Sequence, residues 1–145
     1  MMATVLLLDD SEANLPSLRS ALELAGHRVV AGESGIKGLE IIRSLCPHVI
    51  VTDWQMPGMD GVEFCKELRK RVVFRRVPII LLSGEREPSL QRPVWTKFFR
   101  KPVPLAELIN AVESFSRRSR FLPPAEAIGE LPASRWAAVR PALWP

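Results

Sequence analysis

Cysteine and histidine are scarce in this chain, and so are long apolar runs. Two cysteines among 145 residues, Cys46 and Cys65, are too few for a disulfide framework. With only two histidines beside them, a zinc centre would lack ligands, so a metal held here has to be a hard ion bound through oxygen. No apolar stretch approaches the roughly 18 to 20 residues of a membrane span. The first apolar run, Val5 to Leu8, stops at Asp9-Asp10 and is too short for the apolar region of a signal peptide. A cytoplasmic protein with no membrane partner is therefore expected.

The rest of the composition is that of one globular domain, with 47% apolar and 25% charged residues. The net charge of +4 hides an asymmetry. Residues 1–60 carry 4 Lys/Arg against 8 Asp/Glu, whereas residues 61–145 carry 16 against 8. A basic half can bind nucleic acid, but no recognition-helix or zinc-finger pattern accompanies it. Nucleic acid is not an expected partner, and a solvated basic face is. Several of the 13 prolines fall after residue 120, which sets residues 121–145 apart from a domain at 1–120.

Along that domain, short apolar runs alternate with helix-period segments. Thr4 to Asp9, Val29-Val30, His48 to Asp53, Pro78 to Ser83 and Trp95 to Phe99 read as five strands. Between them, Leu15, Leu18, Leu22 and Ala25 trace a helix closed by Gly26; Ile36, Leu39, Ile41 and Ile42 trace a second, ending before Pro47. Val62, Cys65, Leu68 and Val72 mark a third, and Leu105, Leu108, Ile109, Val112 and Phe115 the last. This alternation implies an α/β fold, a parallel sheet with helices on both faces. In such sheets ligands bind beyond the carboxyl ends of the strands.

Those ends carry chemistry. The first strand ends at Asp9-Asp10, the third at Asp53 and the fourth at Ser83; Lys101-Pro102 follows the fifth. Three carboxylates crowded together either take up protons or recruit a cation, and oxygen ligands suit Mg²⁺. Asp53 at a strand tip can act both as ligand and as nucleophile, as carboxylates do when they form aspartyl phosphates. Lys101 and the Ser83 hydroxyl can neutralise and bind phosphoryl oxygens. Singly, such an Asp reads as a cap and such a Lys-Pro as a surface turn. Their joint placement at four strand tips is what carries weight.

With these motifs, residues 4–118 resemble the receiver (phosphoacceptor) domain of two-component response regulators, single-domain type. The most specific stretch is Asp53-Trp54-Gln55-Met56-Pro57-Gly58-Met59-Asp60-Gly61. The resemblance implies a flavodoxin-like five-stranded sheet of order 2-1-3-4-5. It implies a phosphoryl group accepted on Asp53 from a histidine kinase or histidine phosphotransfer protein, in a Mg²⁺-dependent reaction. Asp9, Asp10, Asp53 and the Gln55 carbonyl would hold the ion; Ser83 and Lys101 would contact the phosphoryl group. Lys101-Pro102 would be cis. Ser83 and Phe98 would form the switch, with Phe in place of the usual Tyr, so that coupling rests on packing. The protein would not be an enzyme beyond assisting its own phosphorylation and dephosphorylation. It would then switch binding to a downstream protein effector, with a homodimer also compatible.

Two regions depart from the pattern. Phe98 follows Ser83 by only 15 positions, and Pro88 and Pro93 leave room for at most one helical turn, so the fourth helix should be shortened. That helix belongs to the output face, which motivates an alternative reading: a phosphorylation-independent interaction module on a receiver scaffold. The tail 121–145 is either mobile or a short docking helix, with Trp136, Val139 and Leu143 on one side and Trp144 adding area. A haloacid-dehalogenase-like phosphatase would require a second Asp two residues after Asp53, where Gln55 stands. Direct DNA binding is the remaining alternative.

Overall fold

The computed structural model describes residues 2–121. Continuous apolar runs became strands covered on both faces. β1 (Thr4–Leu8), β3 (Val49–Asp53) and β4 (Ile79–Ser83) are almost wholly buried, while the outer strands β2 (Arg28–Gly32) and β5 (Lys97–Arg100) are partly exposed. All neighbours pair in parallel, in the order β2-β1-β3-β4-β5. α1 (Asn14–Leu24) and α4 (Leu105–Phe121) cover one face, with Leu18, Leu22, Leu108, Val112 and Phe115 buried there. α2 (Gly35–Ile41) and α3 (Gly61–Arg69) cover the other, through Ile42, Phe64, Cys65 and Leu68. Among the described residues no helix is long and apolar enough to cross a membrane.

Helix ends follow local chemistry. Asp60 and Glu63 form a capping box at the start of α3, each side chain accepting the other residue's backbone N–H. The Ser34 hydroxyl accepts from Lys37 N at the start of α2. Gly26, at φ +98°, closes α1 as expected. At the opposite end of the sheet both histidines serve β1: Nδ1 of His27 accepts from Ala3 N, and Nδ1 of His48 from Thr4 N.

Three elements differ from the sequence reading. Ile36 was expected on the apolar stripe of α2 but is 51% exposed. The buried stripe is Gly35, Gly38 and Ile42, because the helix lies so close to the sheet that a Cβ on Gly38 would meet Leu8 and Phe64. Val72 does not continue α3; it opens a 3-10 turn (Val72–Phe74) in which Phe74 is the buried residue. Between β4 and β5 no helical turn forms, within the limit of at most one. The fifth strand starts at Lys97, two residues later than expected.

Trp95 stands in for the missing helix. Its indole is buried on the α3 side of the sheet, next to Phe98, and its Nε1–H donates to Glu87 Oε2 at 2.8 Å. Arg69 closes the same corner from α3. Its Nε donates to Val94 O at 3.0 Å, and its Nη1 to Phe74 O at 2.8 Å, Arg75 O at 3.1 Å and Val77 O at 2.7 Å. The tail, with the expected docking stripe Trp136, Val139 and Leu143, lies outside the described residues.

Removing the Arg69 fork strands several carbonyls at a half-buried corner. Arg69→Met should lower the unfolding free energy by about 2–3 kcal/mol in urea denaturation. Arg69→Lys should recover less than half of that, since an ammonium cannot address the carbonyls as a planar fork. Full recovery by Lys would show that charge alone matters there.

Candidate functional site

Strand register assembles the site. Leu8 pairs with Thr52, so Asp9 follows β1 level with Asp53 at the end of β3. Asp53 pairs with Leu82, which puts Ser83 one step further along β4. Ser83 in turn pairs with Arg100, and its carbonyl accepts from Lys101 N at 2.7 Å. The Lys101-Pro102 bond is cis, as expected.

Three carboxylates and one ammonium meet there. Oxygens of Asp9, Asp10 and Asp53 lie within 4.8 Å of one another. Asp9 and Asp53 are buried, at 1% and 5% exposure, and Asp10 is exposed. Lys101 Nζ is 3.0 Å from Asp53 Oδ1 and 4.0 Å from Asp9 Oδ2. Asp9 Oδ1 accepts from Ser11 N at 2.8 Å. Its Oδ2 accepts no hydrogen bond, whereas Asp53 Oδ1 has Lys101 Nζ as its close partner. A buried carboxylate oxygen of Asp9 thus lies unpartnered within a cluster of three carboxylates. Such a donor set fits a hard cation.

Ser83 is fully buried, and its hydroxyl is engaged: it donates to Gln55 Oε1 at 2.8 Å and accepts from Glu85 N at 2.9 Å. Gln55 therefore enters the site through its side chain, a contact that the sequence did not suggest. Phe98 is partly buried and packs against the core cluster on the α3 side, to which Trp95 also belongs. Asp10, Gln55, Met56, Pro57 and Asp60 line an open groove alongside.

Two further residues hold Asp53 in place. Thr52 Oγ1 donates to Asp53 O at 2.9 Å. Gly61 approaches so closely that a Cβ would overlap Asp53 O, and its N–H donates to Trp54 O at 2.7 Å. The glycine was visible within the Asp53–Gly61 motif; its reason, a helix start pressed against the strand tip, was not.

Burial dominates the electrostatics. It raises the carboxyl pKa of Asp9 above its ordinary 3.8, against the opposing Ser11 N–H and Lys101. It raises Asp53 likewise, again against Lys101. A carboxyl whose folded pKa exceeds its unfolded value stabilises the fold when protonated. That contribution fades as pH rises through the folded value. Ionising this pair as pH rises therefore costs stability. Asp9→Asn keeps an acceptor for Ser11 N, so the metal-free variant should melt about 2–5 °C higher than the wild type at pH 7. The gap should shrink as pH falls toward 4. An unchanged or lower melting temperature would contradict the assigned cost.

The profile described as "Response regulator receiver domain" matches residues 5–113. The chain is 32% identical over 120 residues to Protein PilH of Pseudomonas aeruginosa, covering 77% of this chain and 98% of PilH. It is 32% identical over 126 residues to Response regulator MprA of Mycobacterium ulcerans, covering 83% of this chain but 53% of MprA. The chain thus spans nearly all of one such relative and about half the length of another. Among solved structures, the receiver domain of the Francisella response regulator 1452 has a TM-score of 0.74 at 27% identity, covering 81% of this chain and 98% of that one. The receiver domain of a sensor histidine kinase from Pseudomonas aeruginosa PAO1, with a magnesium ion coordinated in its active-site cleft, has a TM-score of 0.72 at 25% identity, covering 81% and 99%.

Proposed function

The chain belongs to the response regulator receiver-domain family, and from that membership we propose that Asp53 is its phosphoacceptor in two-component signalling. The observation that carries the reading is the gathering of Asp9, Asp10 and Asp53 oxygens within 4.8 Å, with Lys101 Nζ 3.0 Å from Asp53. The donor would be a phosphohistidine on a kinase or phosphotransfer protein. An Asp53 oxygen attacks phosphorus, a P–O bond forms, and the P–N bond breaks with its electron pair leaving on the imidazole nitrogen.

Asp9, Asp10, Asp53 and the Gln55 carbonyl would hold Mg²⁺, which when bound supplies positive charge for the phosphoryl oxygens. The protein's own part is positioning. Thr52 and Gly61 fix the Asp53 backbone. Lys101 favours ionised Asp53 in opposition to burial and stands ready to pair with a phosphoryl oxygen. Ser83 can bind that oxygen only by giving up Gln55, so Gln55 restrains the hydroxyl before phosphorylation. Relocation of Ser83 would release Glu85 N and disturb the segment leading to Glu87 and Trp95. Phe98, which packs in the same cluster, would respond through packing alone. The chain's own role in dephosphorylation would use the same groups. Output would pass to a protein effector. The phosphorylation-independent reading gains no support from the site, because the residues that it could dispense with are present and in register.

Incubation with a small phosphodonor such as acetyl phosphate and Mg²⁺ should label wild-type protein, and Asp53→Asn should abolish labelling. Labelling that persists in Asp53→Asn would refute the assignment. Mg²⁺ should quench the fluorescence of Trp54, which adjoins Asp53, and Asp10→Ala should weaken that response about tenfold or more. Affinity for Mg²⁺ should rise with pH above 4, because protons on the raised carboxyls compete with the ion.

A further inference from the structure

Outside residues 84–96, which carry Glu85, Arg86, Glu87 and Arg92, the loops of this domain segregate charge along the strand direction. The loops that lead from a strand into a helix are 9–13, 33–34, 54–60 and 101–104. They contain Asp9, Asp10, Glu12, Glu33 and Asp60, and one cation, Lys101. The loops that lead from a helix into a strand are 25–27, 42–48 and 70–78. They contain Arg43, Lys70, Arg71, Arg75 and Arg76, and no acid. In a parallel sheet the first set lies at the end that bears Asp53 and the second at the opposite end.

At that far end one turn stands out. Lys66, Lys70, Arg71, Arg75 and Arg76 are all exposed, and between them Val72 and Val73 are 38% and 37% exposed. The acid in this stretch, Glu67, is paired with Lys70 at 2.8 Å. The turn is held from beneath. Phe74 is buried in the core, and Arg69 Nη1 bonds the carbonyls of Phe74, Arg75 and Val77. Two adjacent β-branched apolar residues are thereby displayed on a supported turn, flanked in sequence by Arg71 and Arg75.

We propose that the turn 70–76 is a docking surface for an acidic segment of a partner protein whose Asp or Glu residues alternate with apolar side chains. Charge complementarity selects an anionic partner, and the fixed valines select one with apolar groups between its charges. A nucleic acid would leave Val72 and Val73 facing phosphates. A lipid surface would favour Trp, Phe or Leu at the tip rather than two half-covered valines. The acidic end of the molecule repels such a segment, so the field itself orients the approach toward the basic end. Rigid presentation lowers the ordering cost of binding. The surface lies at the opposite end from Asp53, so this inference stands apart from the phosphoacceptor reading.

The test uses the full chain and a fluorescein-labelled 16-residue peptide alternating Glu or Asp with Leu and Val, followed by anisotropy at about 0.1 M salt. Wild type should bind it. A peptide with Gln at every acidic position should bind about tenfold or more weakly. Arg71→Gln/Arg75→Gln should lose about tenfold, Val72→Ser/Val73→Ser about threefold, and Lys37→Gln at the other end nothing measurable. Asp53→Asn should bind as wild type does. Equal binding of the Gln peptide, or no effect of Arg71→Gln/Arg75→Gln, would overturn the proposal. So would displacement of the acidic peptide by a 20-base-pair duplex or by phosphatidylglycerol vesicles at lower concentration than by unlabelled peptide. Loss of binding in Asp53→Asn would overturn the separation of the two ends.

Discussion

Everything at the functional end depends on two carboxylates being held, against their mutual repulsion, in a place with little water. Asp9 and Asp53 are buried at the tips of neighbouring strands, and Lys101 alone among the described cations lies within 4.0 Å of both. The sheet imposes this arrangement. Register puts Leu8 opposite Thr52, and the residue after each is an Asp. Burial then makes ionisation costly, which is why both carboxyls are shifted upward even beside an ammonium. A site in that condition responds strongly to any added positive charge. The Asp53 carboxylate is also held in a fixed direction, since Thr52, Trp54 and Gly61 hold the backbone on either side.

The absence of a helix between β4 and β5 changes what lies next to that site. A helix there would have packed its own apolar stripe over the sheet. Here the cover is a single indole, pinned by Glu87, and an arginine from the end of α3 that bonds the chain just before it. Few groups carry much of the load, and several are polar. Ser83 is therefore linked to Trp95 by a short run of chain, from Glu85 to Glu87, and not by a helix.

Strand positions and strand-end chemistry could be read from the sequence because both rest on local pattern, whereas the sheet order was implied only by the family resemblance. A continuous apolar run that ends at Asp, as β1 and β3 do, is a buried strand with a charge at its tip. Asp9, Asp10, Asp53 and Lys101 were legible for that reason, and the structure brings them together. Gln55 as the acceptor for Ser83 was not legible, because that contact spans 28 residues and depends on a rotamer. Nothing in the sequence singles out Arg69, because its four carbonyl partners come from a later turn and from the loop before β5. Ile36 misled because periodicity counts apolar residues, whereas the face of α2 that touches the sheet is set by which residues are small enough to approach it.

The charge segregation has two causes, which can be separated by distance along the chain. Helix N-termini gather at the Asp53 end and C-termini at the other, so acids before helices and bases after them are favoured by the helix dipoles alone. Asp60 and Glu63 at the start of α3, and Lys66 and Arg69 in its last turn, need no further cause. The dipole effect fades within a turn of the helix end. Arg75 and Arg76 lie beyond it, separated from α3 by the 3-10 turn. Fold electrostatics also gives no reason to expose Val72 and Val73, when burying either one would add stability. The dipole thus accounts for Lys66 and Arg69 but not for Arg75 or for the exposure of Val72 and Val73, and that part of the turn is where a partner surface is to be sought.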